Sequence, residues 1–242
     1  MGAFSFTLQL GASELEMSGE LPDAGAHAAE MVPVYLGIGE VLLEASARDS
    51  AAAGMMPSCG PKCGACCRQL VPISESEAAY LRLMVVPNLE EDHRQRVEQR
   101  IALAAEKIGG SGMASDLRSL PSEPDRTKRQ TLGLRYFFLG IPCPFLEEES
   151  CSIHRLRPLA CREYLVTSPA VRCAAPDAGG IVPLAPKVKP SYALILADRR
   201  ASGSNGWTPM IMALISEASP EDRRITDPEA ELGVFLSQLG RG

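Results

Sequence analysis

The 242-residue sequence predicts an α+β fold: a helix-rich single domain with small β-hairpins. Three observations predict it. Phe4, Phe6, Leu8 and Leu10 alternate with small or polar residues, and Leu15 and Met17 resume the alternation after Gly11-Ala12-Ser13, the period of two that a half-buried hairpin needs. Longer stretches carry apolar residues at the helical period of 3.6. Between them lie short segments punctuated by Gly and Pro, and the eight cysteines fall in these.

After the hairpin, residues 33–50 place Val34, Ile38, Val41, Leu42 and Ala45 at helical spacing, and Gly54 to Pro57 ends that helix. A cysteine-bearing loop follows from Ser58 to Arg68. Ser74 with Glu77 has capping-box spacing and opens a helix to about Val86, which Pro87 breaks. A charged helix from about Leu89 to Ile108 exposes Glu90, Arg94 and Glu98, buries Val97, Ile101, Ala105 and Ile108, and stops at Gly109-Gly110. This helical pair, 74–108, is expected as an insertion packed outside the cysteine-bearing halves. Residues 111–130 read as polar and irregular, and Thr127 to Leu139 as a shorter helix leading to Pro142-Cys143-Pro144. Phe145-Leu146 and Cys151-Ser152-Ile153 flank the acidic tip Glu147-Glu148-Glu149 as a small hairpin. Pro158 suits the first turn of a short helix through Tyr164. Beyond Cys173 the chain is rich in Pro and Gly to about residue 190. Two or three helices follow, the last opening at the cap pair Asp227-Pro228. The expected organisation is one domain: an N-terminal hairpin and helix (1–58), a cysteine core (59–173) and a C-terminal helical extension (174–242).

Composition narrows the function classes. A formal net charge of -6 and a pI of about 5.2 argue against a broad electrostatic hold on nucleic acid or anionic lipid. Aromatic residues make up 5%, with the single tryptophan Trp207, too few for a base-stacking platform. The longest apolar runs, such as Met210 to Ile215, are far short of the roughly 20 residues a membrane span needs. Met1 to Phe6 carries no Lys or Arg, so no basic secretory start is expected, and Phe6 stands where a myristoylation signal wants Ser or Thr. The expected location is cytoplasmic, with no nucleic-acid and no membrane partner. In a reducing compartment eight cysteines are poor candidates for disulfides.

The cysteines carry the chemistry. Cys59-x3-Cys63-x2-Cys66-Cys67 puts four thiols within nine residues of a loop in which Gly60 and Gly64 permit tight turns. Crowded thiolates repel one another, and a soft cation that replaces their protons relieves the repulsion; zinc and iron suit sulfur best. Cys143, Cys151, Cys161 and Cys173 lie in equally punctuated structure, so all eight are candidate metal ligands. They suffice for two four-sulfur zinc sites, or for one cubane iron–sulfur cluster with further ligands; zinc or an iron–sulfur cluster is the expected cofactor, and one site or two stays open. Adjacent Cys66 and Cys67 point differently, so each can serve a different site. Arg68, Arg157 and Arg162 lie close to cysteines in sequence, where guanidinium groups offset the negative charge of a thiolate centre. Tyr164 is a candidate hydrogen-bond donor to sulfur, and His154 a candidate ligand or outer donor.

Three segments together resemble a known family: Cys59-x3-Cys63-Gly64-x-Cys66-Cys67-Arg68; Ile141-Pro142-Cys143-Pro144-Phe145-Leu146; and Cys151-Ser152-Ile153-His154-x3-Arg157-Pro158-x2-Cys161-Arg162-x-Tyr164. They resemble the cysteine-cluster (CxxCxxCC, YkgJ-type) family of zinc- or iron-chelating domains, over about residues 59 to 173. The resemblance implies metal chelation and no particular reaction. Flagellin lysine-N-methylases look like relatives with a similar cluster, which sets an iron–sulfur-dependent enzyme beside the alternative of a structural zinc module for a protein partner. A radical-SAM site has the same x3-x2 spacing, but Ala65 stands where an aromatic residue is usual, and the βα repeat of a barrel is missing. A nucleic-acid-binding zinc ribbon is disfavoured by the acidic charge.

Overall fold

The computed structural model describes residues 2–11 and 13–241. β1 (Gly2–Leu10) and β2 (Ser13–Leu21) form the expected antiparallel hairpin, with Gly2 opposite Leu21 and Leu10 opposite Ser13; Ala12 of the expected turn lies outside the described residues. The period of two sends Leu10, Leu15, Met17 and Leu21 into the core, with Phe4 and Phe6 stacked at 5.7 Å on the same face. α1 (Val32–Ala52) lies beneath it. Its buried face is centred on Tyr35, Gly39, Leu42 and Ser46, a step round the helix from the expected stripe, so Val41 is exposed.

Ser74 and Glu77 form the capping box: the Glu77 N–H donates to Ser74 Oγ (3.1 Å) and the Ser74 N–H to Glu77 Oε2 (2.9 Å). They open α2 (Glu75–Tyr80), which continues through a π turn (Leu81–Val85) and ends in a 3-10 turn (Val86–Asn88) holding Pro87. Ala79, Tyr80, Leu81 and Val85 are buried, so α2 belongs to the main core. α3 (Glu91–Gly110) is the outer helix of the pair, burying Val97, Ala104 and Ile108. Within the stretch expected to be irregular, α4 (Ala114–Ser119) and a 3-10 turn (Leu120–Ser122) form, and α5 (Arg126–Phe138) is the expected shorter helix. Met113, Leu117 and Leu120 recur every three or four residues and are buried in a second, smaller core with Ile108, Leu132, Tyr136 and Ile211. Three apolar positions among polar neighbours were too brief a period to read as a helix.

Four two-stranded antiparallel ladders complete the fold, β1–β2 among them. β3 (Pro72–Ser74) pairs with β8 (Trp207–Pro209), β4 (Leu146–Glu147) with β5 (Ser150–Cys151), and β6 (Leu165–Val166) with β7 (Pro183–Leu184). α6 (Leu159–Glu163) is the short helix after Pro158. α7 (Pro190–Ser202), α8 (Met210–Ile215) and α9 (Pro228–Gln238) are the three C-terminal helices, and Asp227 caps α9 by accepting from the Ala230 N–H at 3.0 Å. α9 closes on α1 and α7, with Tyr35 and Phe235 in ring contact at 4.7 Å. Among the described residues no helix is long and apolar enough to cross a membrane.

Candidate metal centre

Five short stretches of chain bring the cysteines to one place. The loop 58–68 carries Cys59 and Cys63, then a 3-10 turn, Ala65–Arg68, carries Cys66 and Cys67. The Cys143 N–H donates to the Cys67 carbonyl at 2.7 Å, a backbone bond that joins the two sequence halves directly. Cys151 lies on β5 opposite Leu146, and Cys161 lies on α6. A 3-10 turn, Ala170–Ala174, carries Cys173 and packs on the Ala65–Arg68 turn. Cys59, Cys63, Cys66, Cys67, Cys143, Cys151 and Cys161 line one cavity of about 550 Å³, with Leu70, Val71, Phe145 and Met210 among its apolar walls. Cys173 stands beside it, within electrostatic reach of Cys59, Cys63 and Cys66. All eight cysteines are free thiols. Among the described residues no three Cys, His, Asp or Glu side chains close to the separations of a single ion; the thiols surround a space.

Packing explains the placement of the deep wall. Gly39 of α1 leaves room for the Leu159 side chain of α6, which a β-carbon there would strike. The buried Glu77 carboxylate accepts from the Leu159 N–H at 2.7 Å through Oε1, beside its capping-box bond. The Glu163 carboxylate accepts from the Ser191 N–H and Oγ–H at 2.5 Å, tying α6 to the start of α7. On the other wall, α3 grips the β4–β5 hairpin. Arg96 and Arg100 reach Glu147 at 3.1 and 3.2 Å, Arg100 donates to the Pro144 carbonyl at 3.0 Å, and His93 meets the Ser152 hydroxyl at 2.8 Å.

The hairpin tip is the strained part. Glu148 and Glu149 both have positive φ (47° and 59°), a region that costs side-chain-bearing residues energy and that a two-residue hairpin turn requires. Arg68 holds the tip: its guanidinium pairs with Glu149 at 2.6 and 3.0 Å and donates to the Gly64 carbonyl at 2.9 Å. Gly64 permits the approach, since a β-carbon there would lie 2.5 Å from Glu149 Oε2 and 2.8 Å from the Leu146 side chain.

The electrostatics follow burial. Burial pushes the Cys143 thiol up to about 12 and the Cys161 thiol well above its ordinary range, and neighbouring sulfurs add to both shifts. Cys67 donates its S–H to Cys66, which lowers Cys66 and raises Cys67. The Tyr164 hydroxyl donates to the Cys173 sulfur and accepts from Gln69 Nε2 at 3.3 Å, so this tyrosine does touch sulfur. His154 is exposed at the cavity edge, its imidazole held below the usual range first by Arg157.

The arginines divide. Arg68 holds the hairpin tip, as above. Arg162 donates from Nε to the Arg157 carbonyl at 3.0 Å and from Nη2 to the Arg155 carbonyl, and pairs with Glu40 at 3.5 Å, so it braces the turn before Cys161. Arg157, which lines the cavity, keeps a spare donor. Its charge bears on Cys66 and Cys151, and its Nε is the one buried side-chain nitrogen or oxygen without a hydrogen-bond partner among the described residues. An orphaned cationic N–H beside a ring of thiols fits an anionic metal–sulfur group. Sequence reasoning missed Glu77 and Arg100 as supports of the site. The capping box marked Glu77 as a helix cap, but its bond to Leu159 spans 82 positions.

Residues 58–177 match the family CxxCxxCC, described as "Putative zinc- or iron-chelating domain". This chain carries a CxxCxxCC domain. The matched span holds all eight cysteines, and its donors are those that zinc and iron prefer. The CxxCxxCC domain also takes in α2 to α5, so the helices between the two cysteine groups are part of it. No curated protein and no solved structure matches the chain significantly.

Proposed function

We propose that the protein chelates metal as an iron–sulfur cluster held by its cysteine thiolates, with Cys59, Cys63, Cys66, Cys67, Cys143, Cys151, Cys161 and Cys173 as the ligand pool. One observation carries the reading: seven free thiols from separate stretches of chain line a single cavity of about 550 Å³, with the eighth beside it. Such a ring suits a group several bonds across better than a lone ion. A four-iron cluster takes four thiolates and supplies one-electron chemistry when bound. Arg157 would donate its unpartnered Nε–H to sulfur, and Arg68, Arg162 and Tyr164 would keep the ligand-bearing turns in place. Eight free thiols suit a reducing compartment, and the same reading places the protein in the cytoplasm. It assigns no reaction.

Elemental analysis of anaerobically purified protein tests this. The expected result is a brown protein with iron and acid-labile sulfide in equal amounts. A colourless protein with zinc would replace the cluster by zinc at the same thiols. A protein that binds neither metal, before and after reconstitution, would overturn chelation.

A further inference from the structure

A second cavity, of about 630 Å³, shares no lining residue with the cavity of the thiols. Its volume is that of a small-molecule site. α2 with its π turn, α4, α8 and residues 216–223 all contribute to its walls. α2 faces both ways. Ser76 lines the second cavity, while Glu77, next in sequence, holds the Leu159 N–H of α6, two residues before Cys161.

Part of the lining is apolar and fixed: Ala79, Met212 and Ala213 are buried side chains of the packed core. Beside them Arg223 is fully engaged. It donates from Nη2 to Ser76 Oγ at 3.0 Å and to Asp198 Oδ1 at 3.1 Å, and from Nη1 to Glu231 at 2.8 Å. Two other arginines of the lining are not engaged in this way. Arg82, on the π turn, donates from Nη2 to the Ser216 carbonyl at 2.9 Å and pairs with no carboxylate among the described residues. Burial lowers its pKa, and no neighbouring carboxylate opposes that shift. Arg118, on α4, is exposed and makes no hydrogen bond or ion pair among the described residues.

The acidic side chains of the lining do not supply the missing partner. Glu75 accepts from the Ser202 and Ser204 hydroxyls at 3.0 and 2.5 Å, and Glu217 and Glu221 are exposed and pair with neither arginine. Two guanidinium groups at one cavity repel each other. An oxyanion offsets both charges and matches their planar forks with charge-assisted hydrogen bonds. The apolar wall gives a hydrocarbon body area to bury.

We infer that this cavity binds a small molecule carrying an oxyanion, a carboxylate or a phosphate monoester, on an apolar body. The oxyanion meets Arg82 and Arg118, and the body lies against Ala79, Met212 and Ala213. The site stands apart from the metal centre and does not rest on the chelation reading.

The test titrates the full chain, as purified with its metal, with four probes followed by saturation-transfer NMR. Hexanoate and hexyl phosphate carry both parts, hexanol has the body alone, and inorganic phosphate has the anion alone. Hexanoate or hexyl phosphate is expected to bind with a millimolar or tighter Kd, and whichever is tighter identifies the head group. Arg118→Gln is expected to weaken that binding by roughly tenfold, and Arg82→Gln by at least as much, since each removes a charge-assisted bond. Arg118 bonds to nothing in the fold, so its variant reports the ligand contact without a folding effect. Saturable binding of neither hexyl probe overturns the site. Hexanol binding as tightly as hexanoate overturns the oxyanion contact, and inorganic phosphate binding as tightly as hexyl phosphate overturns the apolar one. Unchanged affinity in Arg118→Gln overturns the place assigned to the head group. None of these outcomes depends on which metal the thiols hold.

Discussion

Cys161 and Cys63 face one cavity but are held there in different ways. Cys161 ends a chain of buried contacts: Leu159 against Gly39, the Leu159 N–H on Glu77, and Glu163 on Ser191. Cys63 sits on an exposed loop shaped by its own turns and by the Arg68 tie at Gly64. The fold's own packing therefore positions the deep wall, while few contacts outside the loop position the lip. A deep wall fixed by burial and a lip fixed by local bonds should respond differently to mutation, to pH and to salt.

The largest effect is expected from Glu77→Leu. It removes the acceptor for two buried N–H groups, those of Leu159 and Ser74. Each unpaired buried donor costs about 1–3 kcal/mol, so urea denaturation at pH 6 should show a loss of roughly 2–5 kcal/mol. Bound metal should fall with it, because ligand placement and folding are linked at the deep wall. A loss under about 1 kcal/mol would break the comparison by showing that α6 is held without Glu77.

Acidity separates the two regions by sign. Burial raises Glu77 to about 7 and Asp198 to about 6, from ordinary values of 4.5 and 3.8. Both folded-state values are raised, so the folded protein keeps protons that the unfolded chain has released. Their contribution is fully present below about pH 4 and is lost as pH climbs through 6 and 7. For Glu77 the span is on the order of 3 kcal/mol. At the lip the sign reverses: Arg68 holds Glu149 below the usual carboxylate range, so that tie is present at neutral pH and lost on strong acidification. The urea midpoint should therefore fall between pH 5 and pH 8, and Glu77→Gln should flatten that fall. A slope unchanged in Glu77→Gln would remove Glu77 as its source.

Local signals were legible in the sequence, and long-range ones were not. The hairpin of Phe4 to Met17, the capping box at Ser74 and the cap at Asp227 each depend on residues within a few positions, and each formed as read. The cysteine loop declared its chemistry through density alone, but the left-handed residue of that loop is Lys62, and Gly64, at a φ of -96°, matters for the close approach of Glu149 and Leu146 rather than for its turn. The placement of α2 inside the core was not legible, because what buries it is Arg223 and Asp198 at Ser76 and Leu159 at Glu77, all remote in sequence. The arginines misled for a similar reason. Proximity to cysteines suggested contact with sulfur, yet Arg162 spends its donors on two carbonyls and Glu40, satisfying backbone groups of a turn that has no ladder of its own.

The smallest effect on stability, and the sharpest test of the lip, is Arg68→Gln. The Arg68–Glu149 pair is solvent-exposed, and exposed pairs add little to stability and are screened by salt. The urea midpoint should stay where it is. Bound metal should nevertheless be lost to a chelator severalfold faster, because the same guanidinium bridges the hairpin tip to the Gly64 carbonyl two residues before Cys66. High salt applied to the wild type should raise the rate in the same direction, since it weakens the pair without touching the neutral bonds of the loop. Equal rates in variant and wild type would mean that the loop is held by its turns alone. A fall in the urea midpoint would mean that the lip contributes to global stability and that the two regions are a single cooperative unit.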